Sequence, residues 1–171
     1  MGRVQASELA AESRLHAFWA PGDFLDCYSV DIGRGQVPIE KIAQRIFIGL
    51  PAWINALLAL RDLGVTLFGL KTTAALPKEN TIRPAIEVGE TINFFRVRSL
   101  AENEIILGED DRHLDFKIAV RRDGDDNSRI SLATWVHAHN LLGRAYLRLI
   151  LPFHVLIVNA RLAALARELA P

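Results

Sequence analysis

The sequence predicts an α+β fold: a curved antiparallel sheet gripping a long C-terminal helix, with two short helices between the first strand and the rest. Three observations point to it. Apolar residues recur at spacings of three and four through residues 38–64, which is a helical period. The period then shortens to two, most clearly in His113–Arg121 and Arg129–His139, and those two segments flank a short charged loop. Helical spacing returns at Leu141 and lasts to Leu169. A sheet bent along one helix need not close on it completely, and the gap between them is a natural apolar cavity.

The 171 residues and 19.0 kDa suit a single domain spanning 1–171, with 1–22 as an N-terminal arm or short helix. Half of the residues are hydrophobic and 23% are charged, the balance of a soluble globular chain. Twenty basic and twenty acidic residues cancel, so no global basic field points to nucleic acid. One cysteine, Cys27, excludes an internal disulfide framework. The N-terminus lacks the apolar run of a secretory signal, and Ala6 stands where a myristoylation motif after Gly2 needs Ser or Thr. Leu141–Leu165 is the most apolar stretch. Arg144, Arg148, His154, Asn159 and Arg161 interrupt it and Pro152 divides it, which favours a covered helix over a membrane span. A cytoplasmic location is the corresponding expectation.

In chain order, Ala6–Trp19 is expected as a short helix capped by Ser7 and stopped by Pro21-Gly22. Asp23–Ile32 has strand composition. Pro38 opens a helix whose Ile39, Ile42 and Ile46 form one stripe. After Gly49, Pro51 opens a second, with Trp53, Leu57 and Leu60 aligned and Gly64 as its cap. Val65–Leu70 is expected as a strand, and Thr81–Val88 has no clear pattern. Thr91–Leu100 and Glu104–Gly108 read as strands joined by a polar turn. In the next hairpin Leu114, Phe116, Ile118 and Val120 share one face with Ile130, Leu132, Thr134 and Val136, so one side lies on a core. Pro152 predicts a kink in the last helix, or a new helix starting there.

Specific segments then suggest a family. Leu107-Gly108-Glu109-Asp110-Asp111-Arg112-His113-Leu114-Asp115-Phe116 resembles the signature of the DUF2867 family of uncharacterised bacterial proteins. His139-Asn140-Leu141-Leu142-Gly143-Arg144-Ala145-Tyr146 with Leu151-Pro152-Phe153-His154 resembles its closing segment, and Pro51–Asn55 through Phe68–Lys71 its middle. The element order also resembles the helix-grip fold of the START/Bet v 1-like (SRPBCC) superfamily. That resemblance implies a cavity for an apolar ligand and, in some members, a reaction inside it; fold alone decides neither.

On the other face of the hairpin lie His113, Asp115 and Lys117, with Ser131, Trp135, His137 and His139 on the partner strand. The register places His113 across from His137 or His139, and Asp115 beside His137 or Trp135. Three readings compete: a zinc or iron site of His113, His137 and His139 with Asp115 or Asp111; an Asp115–His137 acid–base pair; and an ordinary solvated or subunit-facing sheet surface. The last is favoured, because grouped polar residues on an outer sheet face are common. Trp135 among them marks an interface, so a homodimer through this face is expected. Glu109-Asp110-Asp111 reads as a turn whose Asp side chains cap the turn amides or pair with Arg112 and Arg144, in preference to a divalent-cation site.

Arg144 and Tyr146 are candidates for the mouth of the cavity, where a guanidinium could hold a ligand's anionic end. Its walls are expected from Phe94, Phe116, Ile118, Leu132, Thr134 and Val136 on the sheet. Trp53, Leu57 and Phe68 would come from the helical segment, and Phe153, Leu156 and Ile157 from the last helix. The same residues could instead fill a dry core. His154 reads as a hydrogen-bonded core histidine and Cys27 as a buried inert thiol. No nucleotide, hydrolase or zincin motif occurs, and no cofactor or metal is assigned. The expected activity is therefore binding of an apolar small molecule or lipid between sheet and C-terminal helix. Alternatives are an enzyme of the same fold, cyclase- or hydrolase-like and using the His/Asp cluster, or a module whose sheet face binds a partner.

Overall fold

A computed structural model describes residues 2–33, 37–66, 81–124 and 128–169. Seven strands form one antiparallel sheet: β1 (Gln5–Ala6), β2 (Phe24–Asp31), β3 (Thr91–Ile92), β4 (Phe95–Ala101), β5 (Glu104–Asp110), β6 (Leu114–Asp123) and β7 (Arg129–Ala138). Their order across the sheet is β1-β2-β7-β6-β5-β4-β3. Helices α1 (Ile39–Phe47) and α2 (Ala52–Thr66) follow β2, and α3 (Leu141–Leu169) ends the chain. This is a helix-grip α+β arrangement, as the periodicity predicts. The β6–β7 register, with Leu114 opposite Ala138 and Asp115 opposite His137, lies within the expected range.

The inner face of the sheet is covered by α1 and by the C-terminal half of α3. Val30, Val120, Ile130 and Ile105 pack there with Ile42, Ile46, Val158, Leu162 and Leu165, all buried. Arg161 sits within this layer and donates from Nε to the Ile46 carbonyl at 2.7 Å and from Nη2 to that of Arg45 at 2.6 Å. These belong to the last turn of α1, whose carbonyls have no partner inside the helix, so a guanidinium from α3 caps it.

The outer face is covered as well. Cys27, Ile106, Ala119, Ala133 and Trp135 form a second buried cluster under Leu15, flanked by Leu9 and Leu25. The arm is clamped by buried Glu104, which accepts from Ser13 Oγ at 2.6 Å and from the Arg14 amide at 2.9 Å.

Several expectations are corrected. Ala6–Trp19 is not a helix: Gln5–Ala6 pairs with the exposed edge of β2, and only Arg14–Ala17 makes a short 3-10 turn, capped by Ser13. The edge of β2 has amides and carbonyls to satisfy, and β1 does so. Helix α2 runs through Gly64 to Thr66, which takes up Val65 from the expected strand; Phe68 and the rest of that strand lie outside the described residues. Thr91–Leu100 folds back on itself at Asn93, whose φ of 55° makes the turn. The buried Asn93 amide donates to the Phe47 carbonyl at 3.0 Å, anchoring that turn to α1. Helix α3 continues through Pro152 as one element, so of the two expectations there the start of a new helix is the one corrected. Its other contacts to the sheet and α1 hold it together where one backbone bond is missing.

Candidate functional site

Strand alternation assigns the histidines to the outer face as expected, but their partners differ. His137 Nδ1 lies 2.6 Å from Asp23 Oδ1, and Asp23 Oδ2 accepts from Trp135 Nε1 at 2.9 Å and from the Ala20 amide at 2.9 Å. Asp115, directly opposite His137 in the ladder, instead meets His139 Nε2 at 3.1 Å. His113 Nδ1 lies 3.1 Å from the Asn140 side-chain amide. Each imidazole thus turns to its own partner, and among the described residues no group of His, Cys, Asp or Glu is placed to hold a metal ion. Trp135 is 5% exposed, its ring 5.8 Å from that of Phe18. The premise of an open tryptophan at a dimer contact is therefore overturned: the chain's own arm covers it.

The Asp23 side chain is 4% exposed. Burial opposes its ionisation, but hydrogen bonds from His137, the Ala20 amide and Trp135 outweigh that, and the carboxyl sits below its ordinary value. A carboxyl depressed in the folded state stabilises the fold above its unfolded pKa, and that contribution is lost as pH falls through the folded one. Below about pH 4 the wild type should therefore lose stability that Asp23→Asn never had. Acid unfolding monitored by circular dichroism should show a shallower acid limb for the variant; parallel curves would contradict the arrangement.

In the acidic turn Asp111 Oδ1 accepts from the Arg112 amide at 2.7 Å, the expected amide cap, whereas the ion pairs are made with other residues. Arg96 and Arg98 of β4 reach Glu109 at 3.2 Å each, Arg98 reaches Asp110 at 3.2 Å, and buried Lys117 pairs with Asp110. Among the described residues neither Arg112 nor Arg144 makes an ion pair with this turn. Burial opposes ionisation of Asp110, but the hydrogen bond from Lys117 and the charges of Lys117 and Arg98 outweigh it and hold the carboxyl below its usual range.

A second polar group stands on the inner face. Phe24, Asp26 and Tyr28 alternate on β2, and Asp26 is paired in register with Thr134 of β7. From α3, His154 Nε2 lies 3.0 Å from Asp26 Oδ2 and 3.3 Å from Oδ1. The Phe24 ring meets the imidazole edge-on at 6.3 Å. The Thr134 hydroxyl is buried and has no hydrogen-bond partner; Ser29, the other such buried hydroxyl among the described residues, faces the opposite side of the sheet. Burial first, and the Asp26 charge second, push the Tyr28 phenol up, so it stays a neutral hydroxyl. Around this group the walls are apolar: Val136 and Ile118, with Phe116 edge-on to Phe95 at 5.9 Å. Phe24, Leu114 and Phe116 are only half-buried, so this end of the inner face is less tightly covered than the end under Leu162 and Leu165.

The family described as protein of unknown function (DUF2867) matches residues 19–161, which take in both polar groups and most of the fold. The chain belongs to the DUF2867 family. No curated protein and no solved structure matches it.

For this DUF2867 protein the wall residues named from sequence do not share one place. Thr134 stands on the inner face directly opposite Asp26 and Phe116 on the same face in β6, opposite Val136, whereas Leu132 is part of the packed core. Phe94 is buried at the β3–β4 turn with its ring 4.3 Å from that of Phe95. Trp53, Phe153 and Leu156 are exposed, Leu57 is half-buried on α2, Arg144 is exposed and Tyr146 half-buried. Asp26 and Tyr28 were not singled out by sequence reasoning. Their signal was parity: both fall in step with Val30, a core residue, and so on the inner face. His154 is hydrogen-bonded as expected, and Cys27 is buried with its thiol pushed up by that burial.

Proposed function

We propose that this DUF2867 protein binds an apolar small molecule or lipid that carries one uncharged polar end, between the sheet and the first half of α3. The observation that supports this is the unpartnered Thr134 hydroxyl beside the Asp26–His154 pair, on an otherwise apolar and partly uncovered stretch of the inner face. Buried hydroxyls in native folds are almost always satisfied, and an orphan on an inner wall is where a ligand's polar atom gains most. Asp26 selects the chemistry of that atom. A ligand carboxylate beside Asp26 would bring like charges together, whereas an alcohol can donate to Asp26 and accept from Thr134. Long-chain or isoprenoid alcohols fit this description better than free fatty acids.

Native mass spectrometry of the freshly purified protein is expected to show a bound apolar molecule. Competition against a fluorescent long-chain probe should rank a medium-chain alcohol above the acid of equal length. Absence of any copurified molecule together with no probe binding would sink the reading. A preference for the acid would sink the role given to Asp26.

A further inference from the structure

His137 and His139 are two residues apart at the end of β7 and so share the outer face of the sheet. Their rings meet edge-on, with centroids 5.0 Å apart. The His139 amide donates to the His113 carbonyl at 3.0 Å, which carries the ladder past the end of the strand and keeps the second ring beside the first. Each ring has a carboxylate on one nitrogen: His137 Nδ1 lies 2.6 Å from Asp23 and His139 Nε2 3.1 Å from Asp115. The other nitrogens, His137 Nε2 and His139 Nδ1, have no partner among the described residues, and the side chains are 45% and 37% exposed. Asp23 is buried and also accepts from Trp135 and the Ala20 amide, so it is rigidly placed. A fixed carboxylate behind an open imidazole sets its tautomer and leaves Nε2 as a free acceptor on the solvent side.

We propose that His137 and His139 form a hydrolytic site for uncharged carboxylic esters. His137 Nε2 takes a proton from a water as the water oxygen bonds to the ester carbonyl carbon. The ester C–O bond then breaks, and the leaving oxygen takes a proton from Nδ1 of the protonated His139. Return of a proton from His137 to His139 through solvent restores the pair, and the net change is ester and water to acid and hydroxyl product. The surroundings select the substrate. Asp110, in the same row of the sheet as Asp115 and His137, is matched by Lys117 and Arg98. Among the described residues Asp23 and Asp115 face no cation other than these imidazoles, so an anionic substrate would meet uncompensated negative charge. The Trp135 ring stacks beside His137 at 6.3 Å, and Phe18, 39% exposed, lies against Trp135, an apolar wall for the organic part of the ester. The site lies across the sheet from the Asp26–His154 seat, so neither depends on the other.

The test is hydrolysis of phenyl butyrate by the full chain, followed by release of phenol. The second-order rate constant is expected to exceed that of free 4-methylimidazole at the same pH at least about a hundredfold, with a bell-shaped pH profile because one ring must be neutral and the other protonated. His137→Ala and His139→Ala should each lose at least about a hundredfold at an unchanged melting temperature, since both side chains are partly exposed. His137→Gln, which can still donate to Asp23, should be as inactive, whereas His16→Ala, on the exposed arm, should match wild type. Asp23→Asn is expected to lower kcat with KM little changed, because Asp23 positions His137 and touches no substrate. A rate no greater than that of 4-methylimidazole, or one undiminished in His137→Ala and His137→Gln, would overturn the proposal. Faster hydrolysis of phenyl phosphate than of phenyl butyrate would overturn the substrate assignment.

Discussion

Replacing Arg161 by methionine is expected to destabilise the protein by about 3 kcal/mol, because carbonyls at the end of α1 lose their buried donor. For a chain of this size that corresponds to a fall in Tm of roughly 6–12 °C. The guanidinium reaches the Arg45 and Ile46 carbonyls closely and that of Ile48 at 3.5 Å, so one side chain secures the whole α1–α3 contact. Burial pushes it below its ordinary pKa, a desolvation cost that those bonds offset while the Glu168 charge helps retain the proton. Arg167, exposed one and a half turns further on, is the control. Its methionine variant should stay within about 0.5 kcal/mol of wild type. A loss below about 1 kcal/mol for Arg161→Met would show that α1 is held by other means.

The double variant Asp26→Leu/His154→Leu is expected to separate stability from binding. Exchanging a mostly buried, hydrogen-bonded polar pair for apolar side chains of similar volume is commonly neutral or stabilising. The melting temperature should therefore hold or rise, while affinity for a medium-chain alcohol falls at least about tenfold through loss of the acceptor. Such an exchange of function for stability is what a binding site inside a core entails. A variant that melts lower and binds as well as wild type would assign the pair a structural role alone.

The sheet was legible because Leu114, Phe116, Ile118 and Val120 of β6, and Ile130, Leu132 and Val136 of β7, recur at every second position, which sets the large aliphatic residues and Phe116 on one face. The long last helix was legible by length. What escaped was decided by contacts between distant segments. Glu104 holds Ser13 and Arg14 from about ninety residues away, so no local pattern reveals that the arm covers Trp135. Asp23 lies just outside β2 and is brought to His137 by the pairing of β2 with β7, whereas sequence reasoning sought the carboxylate on the neighbouring strand. Phe153 and Leu156 are apolar in the manner of core residues, but the inner flank of α3 is fixed by Val158, Leu162 and Leu165, and stepping back from these reaches His154 instead. Composition along a helix states how apolar it is; only its partners state which side is covered.

Titration of methyl- and imidazole-labelled protein with a medium-chain alcohol, followed by NMR, addresses the binding seat most directly. Resonances of Thr134, Val136 and His154 should move together and saturate, leaving His137 and His139 in place. Shifts confined to the outer-face histidines, or none at concentrations where the alcohol stays monomeric, would contradict it.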